Sequence, residues 1–463
     1  MSSMAEPVDL PAKAPPTLSV VAAATVVVLV AYTTTVTTVA ASAATFDAGL
    51  SWQTWVLSGM SLGLAGALLT VGALADLFGH RRVFAWSSLA LATTSALGAL
   101  APSIGVLVVA RVLQGAAGAG MLAAGLGLLG DAYSSGRERT RATGMWGAAL
   151  AAGIATGPVL AAALGEAWNW RAAYWLAAVA ALAVAAGAGA LPDPAERDSG
   201  ARVDLPGAAT MVVAMGALTA GITSGRSDWT SPVTVGLIVL GLVALATFAL
   251  VEHRRRTPML DLGLLRRPLF LTSVSGAAVT GLATIAIMTY VPTLLARGAG
   301  ISVLAAGAVL AIWSGTSMVV AAQISRLPES LDGRTRLAVG LVASAIGAGA
   351  LALAHEGSAW WVLAPGLAVA GVGSGVVNAA LARLAVESVP TGSGGLGSGA
   401  NNTARYLGSA LGIALVAALL SSGGDGTSGL FTGWGHAALY AAAVNLVGAV
   451  LALAARERAP VRA

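Results

Sequence analysis

The sequence predicts an all-α polytopic membrane protein with fourteen transmembrane helices. Of its 463 residues, 57% are hydrophobic and 10% are charged, whereas water-soluble domains carry about 25% charged residues. The apolar residues form long stretches, and nearly all of the charge falls between them. Because a bilayer core about 30 Å thick needs about 20 apolar residues per helix, each of these stretches is long enough to cross it.

The spans follow from the apolar stretches and end at the charged or turn-forming segments between them. The first span is preceded by a polar segment and is long, so we expect it to be retained rather than cleaved as a signal peptide. In chain order the predicted spans are 18–42, 52–75, 83–101, 104–130, 141–165, 171–191, 205–224, 231–251, 269–292, 302–324, 336–354, 359–386, 397–421 and 435–455.

Charge sets the orientation of these spans. An even number of spans places both termini on one side, and the loops on that side carry twenty Lys and Arg residues against three in the opposite loops. Positively charged loops stay in the cytoplasm, so the sequence predicts a multi-pass protein of the plasma membrane with cytoplasmic termini. An interfacial belt of tryptophans marks the opposite ends of the spans: Trp52, Trp55, Trp168, Trp170, Trp229, Trp360, Trp361 and Trp434.

The spans divide into six, two and six. A weak internal echo, Gly-rich at 115–120 in span 4 and again at 371–375 in span 12, indicates duplicated halves, the usual architecture of secondary transporters. We therefore predict five segments: a cytoplasmic N-terminal tail (1–17), a six-helix bundle (18–191), a linker with two extra helices (192–268), a second six-helix bundle (269–455) and a cytoplasmic C-terminal tail (456–463).

Composition excludes several functions. The chain has no cysteine, and its four histidines form no spaced pair, so we expect no metal and no cofactor. It lacks a phosphate-binding GxxxxGK[ST] loop, which excludes a primary pump, and its acids and histidines are not grouped as a membrane enzyme would need. The basic residues belong to membrane topology and not to nucleic-acid binding. The expected partners are a small-molecule substrate and membrane lipids, and the bundle design requires no oligomer, so we expect a monomer.

The segment between spans 2 and 3, GlyAlaLeuAlaAspLeuPheGlyHisArgArg, has a specific spacing. Gly72 would let two helices approach closely, and Asp76 would face the positive N-terminus of a neighbouring helix. Gly79 would supply a turn, and Arg81 and Arg82 would anchor at the headgroups. This pattern predicts a charged latch that holds one conformation; the alternative is a simple positively charged loop with a turn.

This loop resembles the signature of the major facilitator superfamily. Other segments are similar to its fourteen-span drug:proton antiporter family: ArgValLeuGlnGlyAlaAlaGlyAlaGlyMet (111–121), GlyIleAlaThrGlyProValLeu (153–160), TrpAsnTrpArg (168–171) and ArgTyrLeuGlySerAlaLeuGly (405–412). The resemblance extends from about residue 18 to residue 455. It implies the major facilitator fold and multidrug efflux by alternating access, driven by protons.

The segment 153–160 corresponds to that family's antiporter motif. Gly153 and Gly157 lie one turn apart on a face that permits close helix contact, and Pro158 can bend the helix. The resemblance implies that this bend seals the central cavity against leakage. Ordinary glycine packing beside a kink is the alternative. Ala161 and Ala162 stand where the family usually has glycines.

Two arginines lie within predicted spans, where a charge costs at least about 2.5 kcal/mol. The resemblance gives Arg111 a part in proton coupling. The alternative is a structural bridge from Arg111 to Gln114 or to backbone carbonyls. Arg405 either reaches the cytoplasmic interface or lines the cavity.

The family commonly has an aspartate in span 1, but here Thr33 stands at that position. Proton antiport usually needs a buried carboxylate, and the nearest acids to a transport path are Asp131 and Glu166. The other polar groups fit a neutral or anionic amphipathic substrate better than a cationic dye, although each could instead join helices. These cavity candidates are Tyr32, Thr33, Thr34, Thr37, Gln114, Tyr290, Trp313, Asn378, Asn401, Asn402 and Arg405.

These observations predict a secondary active transporter that exports small amphipathic compounds, drugs or secondary metabolites, by proton antiport. The alternative within transport is a carrier for one metabolite or lipid-like compound, uncoupled from protons because the acid in span 1 is missing.

Overall fold

A computed structural model describes residues 16–133, 136–191, 205–225, 228–254, 262–323, 332–389 and 394–454. Within these ranges all of the regular secondary structure is helical. The predicted cytoplasmic tails lie almost wholly outside the described residues, as do both basic segments of the predicted linker, 192–204 and 255–261.

The described helices follow the predicted spans in order. Each predicted span overlaps at least one helix; α1 and α2 share the first span, and α10 and α11 share the ninth, joined by a π-helix at Thr280–Ile285. The helices are α1 (Pro16–Thr33), α2 (Thr35–Thr45), α3 (Leu50–Phe78), α4 (His80–Ala99), α5 (Ile104–Ala132), α6 (Gly136–Ala167), α7 (Arg171–Gly187), α8 (Leu205–Gly225), α9 (Pro232–Arg254), α10 (Pro268–Val279), α11 (Ala286–Gly298), α12 (Val303–Ala322), α13 (Gly333–Leu351), α14 (Leu363–Glu387), α15 (Gly394–Ser421) and α16 (Gly426–Ala454).

Length and composition make this a multi-pass membrane protein. Among the described residues, ten helices are each long and apolar enough to cross a bilayer, and the total is eleven if the bent pair α1–α2 is counted as one span. The apolar part of α8, Ala209–Gly225, is shorter. The count of fourteen crossings therefore stays a prediction.

The helices pack in two groups with a helix pair beside them. Helices α1 to α7 contact one another, chiefly α3 and α4 against α5 and α6 against α1, and helices α10 to α16 form the second group, chiefly α14 and α16 against α13. Two seams join the groups: α3 packs on α15, and α6 packs on α12. Helices α8 and α9 pack on each other, and α8 also contacts both α3 and α15.

A continuous apolar core closes the seams at one end. This end carries Trp52, Trp170 and Trp434, and we call it the tryptophan end. Its core combines residues of both groups, with Val39 and Leu57 of the first group and many residues of the second. The fully buried Trp434 donates a hydrogen bond from Nε1 to the Leu351 carbonyl, 2.8 Å away. The two groups are therefore in contact at the tryptophan end.

The first span is bent by 44° between α1 and α2, at Thr34. Three threonine hydroxyls near the bend donate to carbonyls one turn earlier: Thr33 to Leu29 (2.8 Å), Thr34 to Val30 (2.8 Å) and Thr38 to Thr34 (3.0 Å). Such bonds compete with the helical pattern and often bend helices. The threonine run thus positions the bend in the middle of the span.

Candidate functional site

Arg111 holds the bend of the first span. Its side chain is fully buried. Nη1 donates to the carbonyl of Ala31 and to Oε1 of Gln114, both at 2.8 Å. Nη2 donates to the carbonyl of Tyr32 at 3.1 Å and to Oγ1 of Thr35 at 3.3 Å. The acceptors on α1 and α2 lie on both sides of the bend, so Arg111 makes the structural bridge that was one of its two sequence-based interpretations.

Gln114 extends this bridge to a third helix, because its Nε2 donates to Oγ of Ser95 on α4 at 2.9 Å. Gln114 is also fully buried. It is therefore a link between α4, α5 and the bend, and its side-chain hydrogen bonds to described residues stay within the first helix group.

A cluster of three hydroxyls crosses the α3–α15 seam. The Tyr32 hydroxyl lies 3.0 Å from Oγ of Ser61 on α3 and 3.0 Å from Oγ of Ser409 on α15, and the two serine oxygens are 3.2 Å apart. All three residues lie in the middle third of their spans. The cluster is therefore a polar contact between the two helix groups at mid-depth.

The sequence did not identify Ser61 and Ser409. Each is a small hydroxyl residue in an apolar helix, and they are 348 positions apart in the chain. Tyr406 was also missed; its ring packs edge-on against Tyr32 with 5.8 Å between the ring centres.

Arg405 lies beside this hydroxyl cluster. It occupies the middle third of α15 and interacts electrostatically with Tyr32 and Tyr406. Its Nε atom is buried and has no hydrogen-bond partner among the described residues. A side chain that reached the headgroups would hold this atom in water, so the structure favours the interior position for Arg405.

The remaining cavity candidates of the second group join its helices. Tyr290 donates to the Ile413 carbonyl at 3.3 Å, and Trp313 donates to Oγ of Ser374 at 2.9 Å. Asn401 donates to the carbonyl and the hydroxyl of Ser273, both at 3.0 Å, and Asn402 donates to the Ser398 carbonyl at 3.1 Å. Asn378 is half-buried. These bonds lie within the second group.

The antiporter motif packs α6 directly on α1. A Cβ atom on Gly153 would lie 2.6 Å from Cβ of Leu29, and one on Gly157 would lie 3.1 Å from Cα of Val30 and overlap Oγ1 of Thr33. The close helix contact expected of these glycines is present. The carbonyl of Pro158 accepts a bond from Thr37 at 3.0 Å, so the motif also contacts α2 beyond the bend. Ala161 and Ala162 are buried.

We expect Gly157→Ala to destabilise the protein by about 1–3 kcal/mol, the usual cost of overpacking. The added methyl group would collide with Thr33 and press on Val30. Thermal unfolding in detergent measures this loss. Gly165→Ala on the same helix is the matched control, since a Cβ there meets nothing within 4 Å. Adding Thr33→Ala should restore part of the stability, and a Gly157→Ala protein as stable as the control would contradict the close packing.

The loop signature positions α4 after α3. Gly79 has φ 92°, a backbone conformation that favours glycine. Arg81 donates from Nε to the Ala188 carbonyl at 3.1 Å and from Nη2 to the Gly189 carbonyl at 3.0 Å, so it binds the short 3-10 helix (Ala188–Ala190) that directly follows α7. Arg82 is exposed. A Cβ atom added at Gly72 would meet no described atom within 4 Å, so the close helix approach expected there is not seen. The Asp76 side chain lies outside the described residues.

The two candidate proton-coupling acids lie at opposite ends of the molecule. Oδ2 of Asp131, at the end of α5, is 2.7 Å from Nδ1 of His80. Oε1 of Glu166, at the tryptophan end, accepts a bond from the Leu304 backbone at 3.1 Å. Leu304 is in the first turn of α12, where a carboxylate is favoured. Asp131 therefore pairs with the loop signature, and Glu166 bridges the α6–α12 seam.

The interiors of the described helices carry no carboxylate. Six acids lie in these helices, and each is among the first or last three residues: Asp76, Asp131, Glu138, Glu166, Glu252 and Glu387. Arg111 and Arg405 lie further inside. The centre of the described protein is therefore cationic and rich in hydroxyl groups.

Known proteins with related sequences are named for drug resistance. A profile of the Major Facilitator Superfamily matches residues 21–413. The puromycin resistance protein pur8 of Streptomyces alboniger is 30% identical over 431 residues, covering 86% of this chain and 83% of that protein. The multidrug resistance protein Stp of Mycobacterium tuberculosis is 27% identical, covering 82% of this chain and 70% of Stp.

A solved structure has the same fold. The human organic anion transporter MFSD10 (TETRAN) superposes with a TM-score of 0.67 over 94% of this chain and 99% of its own, at 17% sequence identity. This likeness concerns the fold alone. The family profile covers most of the sequence, and the chain therefore belongs to the major facilitator superfamily and is a membrane transporter.

Proposed function

We propose that the chain exports small amphipathic compounds from the cytoplasm by alternating access between two six-helix halves, residues 18–191 and 269–455. The observation that carries this proposal is the hydroxyl cluster of Tyr32, Ser61 and Ser409, which joins the two groups at mid-depth across a seam. Contacts of this kind can form and break as two rigid bodies rock around a central site. The chain is similar to proteins that are named for resistance to puromycin or to several drugs, which supports drugs as the substrate class.

The topology belongs to this proposal. We include fourteen crossings in the plasma membrane, because the sequence has fourteen long apolar stretches. Cytoplasmic termini follow from the even number of spans and from the distribution of arginines, and a monomer is expected because the bundle design requires no oligomer. Residues 72–82 act as a conformational latch in this scheme. The bonds from Arg81 to the short 3-10 helix after α7 support it, because they connect the loop to a second helix of the same half.

Proton antiport supplies the energy in the proposed cycle. Flux of a fluorescent amphipathic compound into proteoliposomes tests it, with and without an imposed pH gradient. We expect the gradient to drive accumulation above the equilibrium level. Equal flux with and without the gradient would indicate a facilitator that is not coupled to protons. Flux no greater than in protein-free liposomes would reject the export function itself.

A second candidate is a carrier for a single metabolite or lipid-like compound that is not coupled to protons. The absence of carboxylates from the interiors of the described helices favours it, because proton antiport usually uses such a group. Cells that lack the protein separate the two: sensitivity to many unrelated drugs supports broad export, and accumulation of one compound supports the narrow carrier.

A further inference from the structure

Arg405 and Arg111 both lie inside their helices, and Nε of each is enclosed without a hydrogen-bond partner among the described residues. They differ at the terminal nitrogens, because Nη1 and Nη2 of Arg111 are bonded to described residues. Arg111 donates four hydrogen bonds to neutral acceptors of the first helix group. Arg405 makes no hydrogen bond and no ion pair with any described residue, and its Nε is enclosed. A guanidinium has five N–H donors and stays charged. Arg405 is half-buried, so part of its side chain is accessible in the middle third of α15. A charge without a protein partner inside a membrane span is costly, which indicates a ligand that is bound during the cycle.

The surroundings of Arg405 are suited to an organic anion. Tyr406 follows it in the helix, and the Tyr32 ring packs edge-on against Tyr406. Both tyrosines lie near enough to Arg405 to interact with its charge. The hydroxyls of Ser61 and Ser409 lie within hydrogen-bond distance of the Tyr32 hydroxyl. Aromatic rings can hold an apolar body, and hydroxyls and a guanidinium can hold an anionic group.

The position of Arg405 at the α3–α15 seam connects it to transport. Tyr32 belongs to the first helix group and Arg405 to the second, and the hydroxyl cluster beside them closes the seam at this depth. Separation of the two helix groups would break the hydroxyl cluster and make Arg405 more accessible. A cationic compound at this point would meet two arginines and no interior carboxylate among the described helices.

We propose that Arg405 binds the anionic group of the transported compound, so that the preferred substrates are amphipathic organic anions such as carboxylates. This rests on the proposed export function and narrows its substrate class. The guanidinium holds the carboxylate through paired N–H donors, and the apolar body lies against Tyr32 and Tyr406.

A set of three dansyl compounds tests the proposal on the purified full-length chain in neutral detergent. Dansylglycine carries a carboxylate, its methyl ester is neutral, and a dansyl amide with a trimethylammonioethyl group is cationic. Fluorescence titration measures each affinity. We expect the carboxylate to bind at least about tenfold more tightly than the ester, as a charge-assisted hydrogen bond allows. Equal affinities for acid and ester, or tighter binding of the cation, would overturn the proposal.

Variants locate the anion site. Arg405→Gln should remove the preference for the acid over the ester. Arg405→Lys should keep a preference that is several-fold weaker, since the lysine ammonium is a point charge that cannot bind a carboxylate through two paired N–H donors. Arg297→Gln, at an exposed arginine in the last turn of α11, is the matched control and should keep the full preference. An unchanged preference in Arg405→Gln, or in Arg405→Lys if the glutamine variant does not fold, places the anion elsewhere.

Flux of the same three compounds in proteoliposomes separates this inference from the export function. Movement of the ester and the cation without the acid would leave export standing and reject the anion site. If none of the three moves, export of such compounds fails, while the binding titrations still decide whether Arg405 holds an anion.

Discussion

Arg111→Ala should stop transport and lower the free energy of unfolding by about 2–4 kcal/mol, the range for losing several buried bonds to a charged group. The substitution removes four hydrogen bonds, three of which go to Ala31, Tyr32 and Thr35 around the bend of the first span. Without them the bend is held by threonine hydroxyls alone, and Tyr32 loses its fixed position at the seam. Thermal unfolding in detergent and flux in proteoliposomes measure the two losses.

The form of the flux measurement separates a clamp from a proton-coupling group. If Arg111 clamps the bend, the variant loses downhill flux as well as flux driven by a pH gradient. If Arg111 acts in coupling, downhill flux survives. Arg297→Ala, an exposed arginine, is the control and should be stable and active. Wild-type stability together with wild-type flux in Arg111→Ala would contradict both roles.

Cysteines at Ser61 and Ser409 should arrest the transporter when they are oxidised. The two serine oxygens are 3.2 Å apart across the seam, close to the geometry from which a disulfide of about 2.05 Å forms. A disulfide there would hold α3 on α15 and stop the halves from parting. The natural chain has no cysteine, so the pair introduces the only thiols. We expect flux to fall to the protein-free level after oxidation and to return after reduction.

Two controls make this result specific. Each single variant, Ser61→Cys and Ser409→Cys, should keep its flux under oxidation. A second pair, Ser224→Cys with Thr234→Cys, lies at a similar separation of 3.0 Å but joins α8 to α9 and crosses no seam. Oxidation of that pair should leave flux unchanged. If the oxidised double variant of Ser61 and Ser409 transports as fast as it does after chemical reduction, these two helices do not separate during transport.

The helices were predictable because each depends on a local property, the length of an apolar run. The bend at Thr34 was not predicted, although its cause is local. The threonines at 33, 34 and 37 were interpreted as cavity lining, and the bonds from this threonine run to carbonyls of its own span became visible only in the structure. In an apolar helix, a run of residues with hydroxyls beside the backbone is a signal for a bend as much as for a polar site.

The site was harder to predict because its contacts join distant parts of the chain. Arg111 was identified as a costly buried charge, and both of its interpretations were consistent with that cost. The Ala31 carbonyl on α1, one of the acceptors that form the structural bridge, lies 80 positions away in sequence. The partner of Asp131, a proposed coupling acid, is His80, which lies 51 positions earlier. Spacing along one helix could not reveal either pair.

The position of helix α8 affects molecules that approach the protein from the lipid bilayer. It contacts α3 and α15 together, with Met211 and Met215 in one apolar cluster with Leu62, and Val212 fills the space over Gly66. A compound dissolved among the acyl chains therefore reaches α8 before it reaches the join between the halves on this flank. The helix pair α8–α9 is therefore a steric barrier on this flank. Lateral entry from the bilayer at this position requires the pair to move.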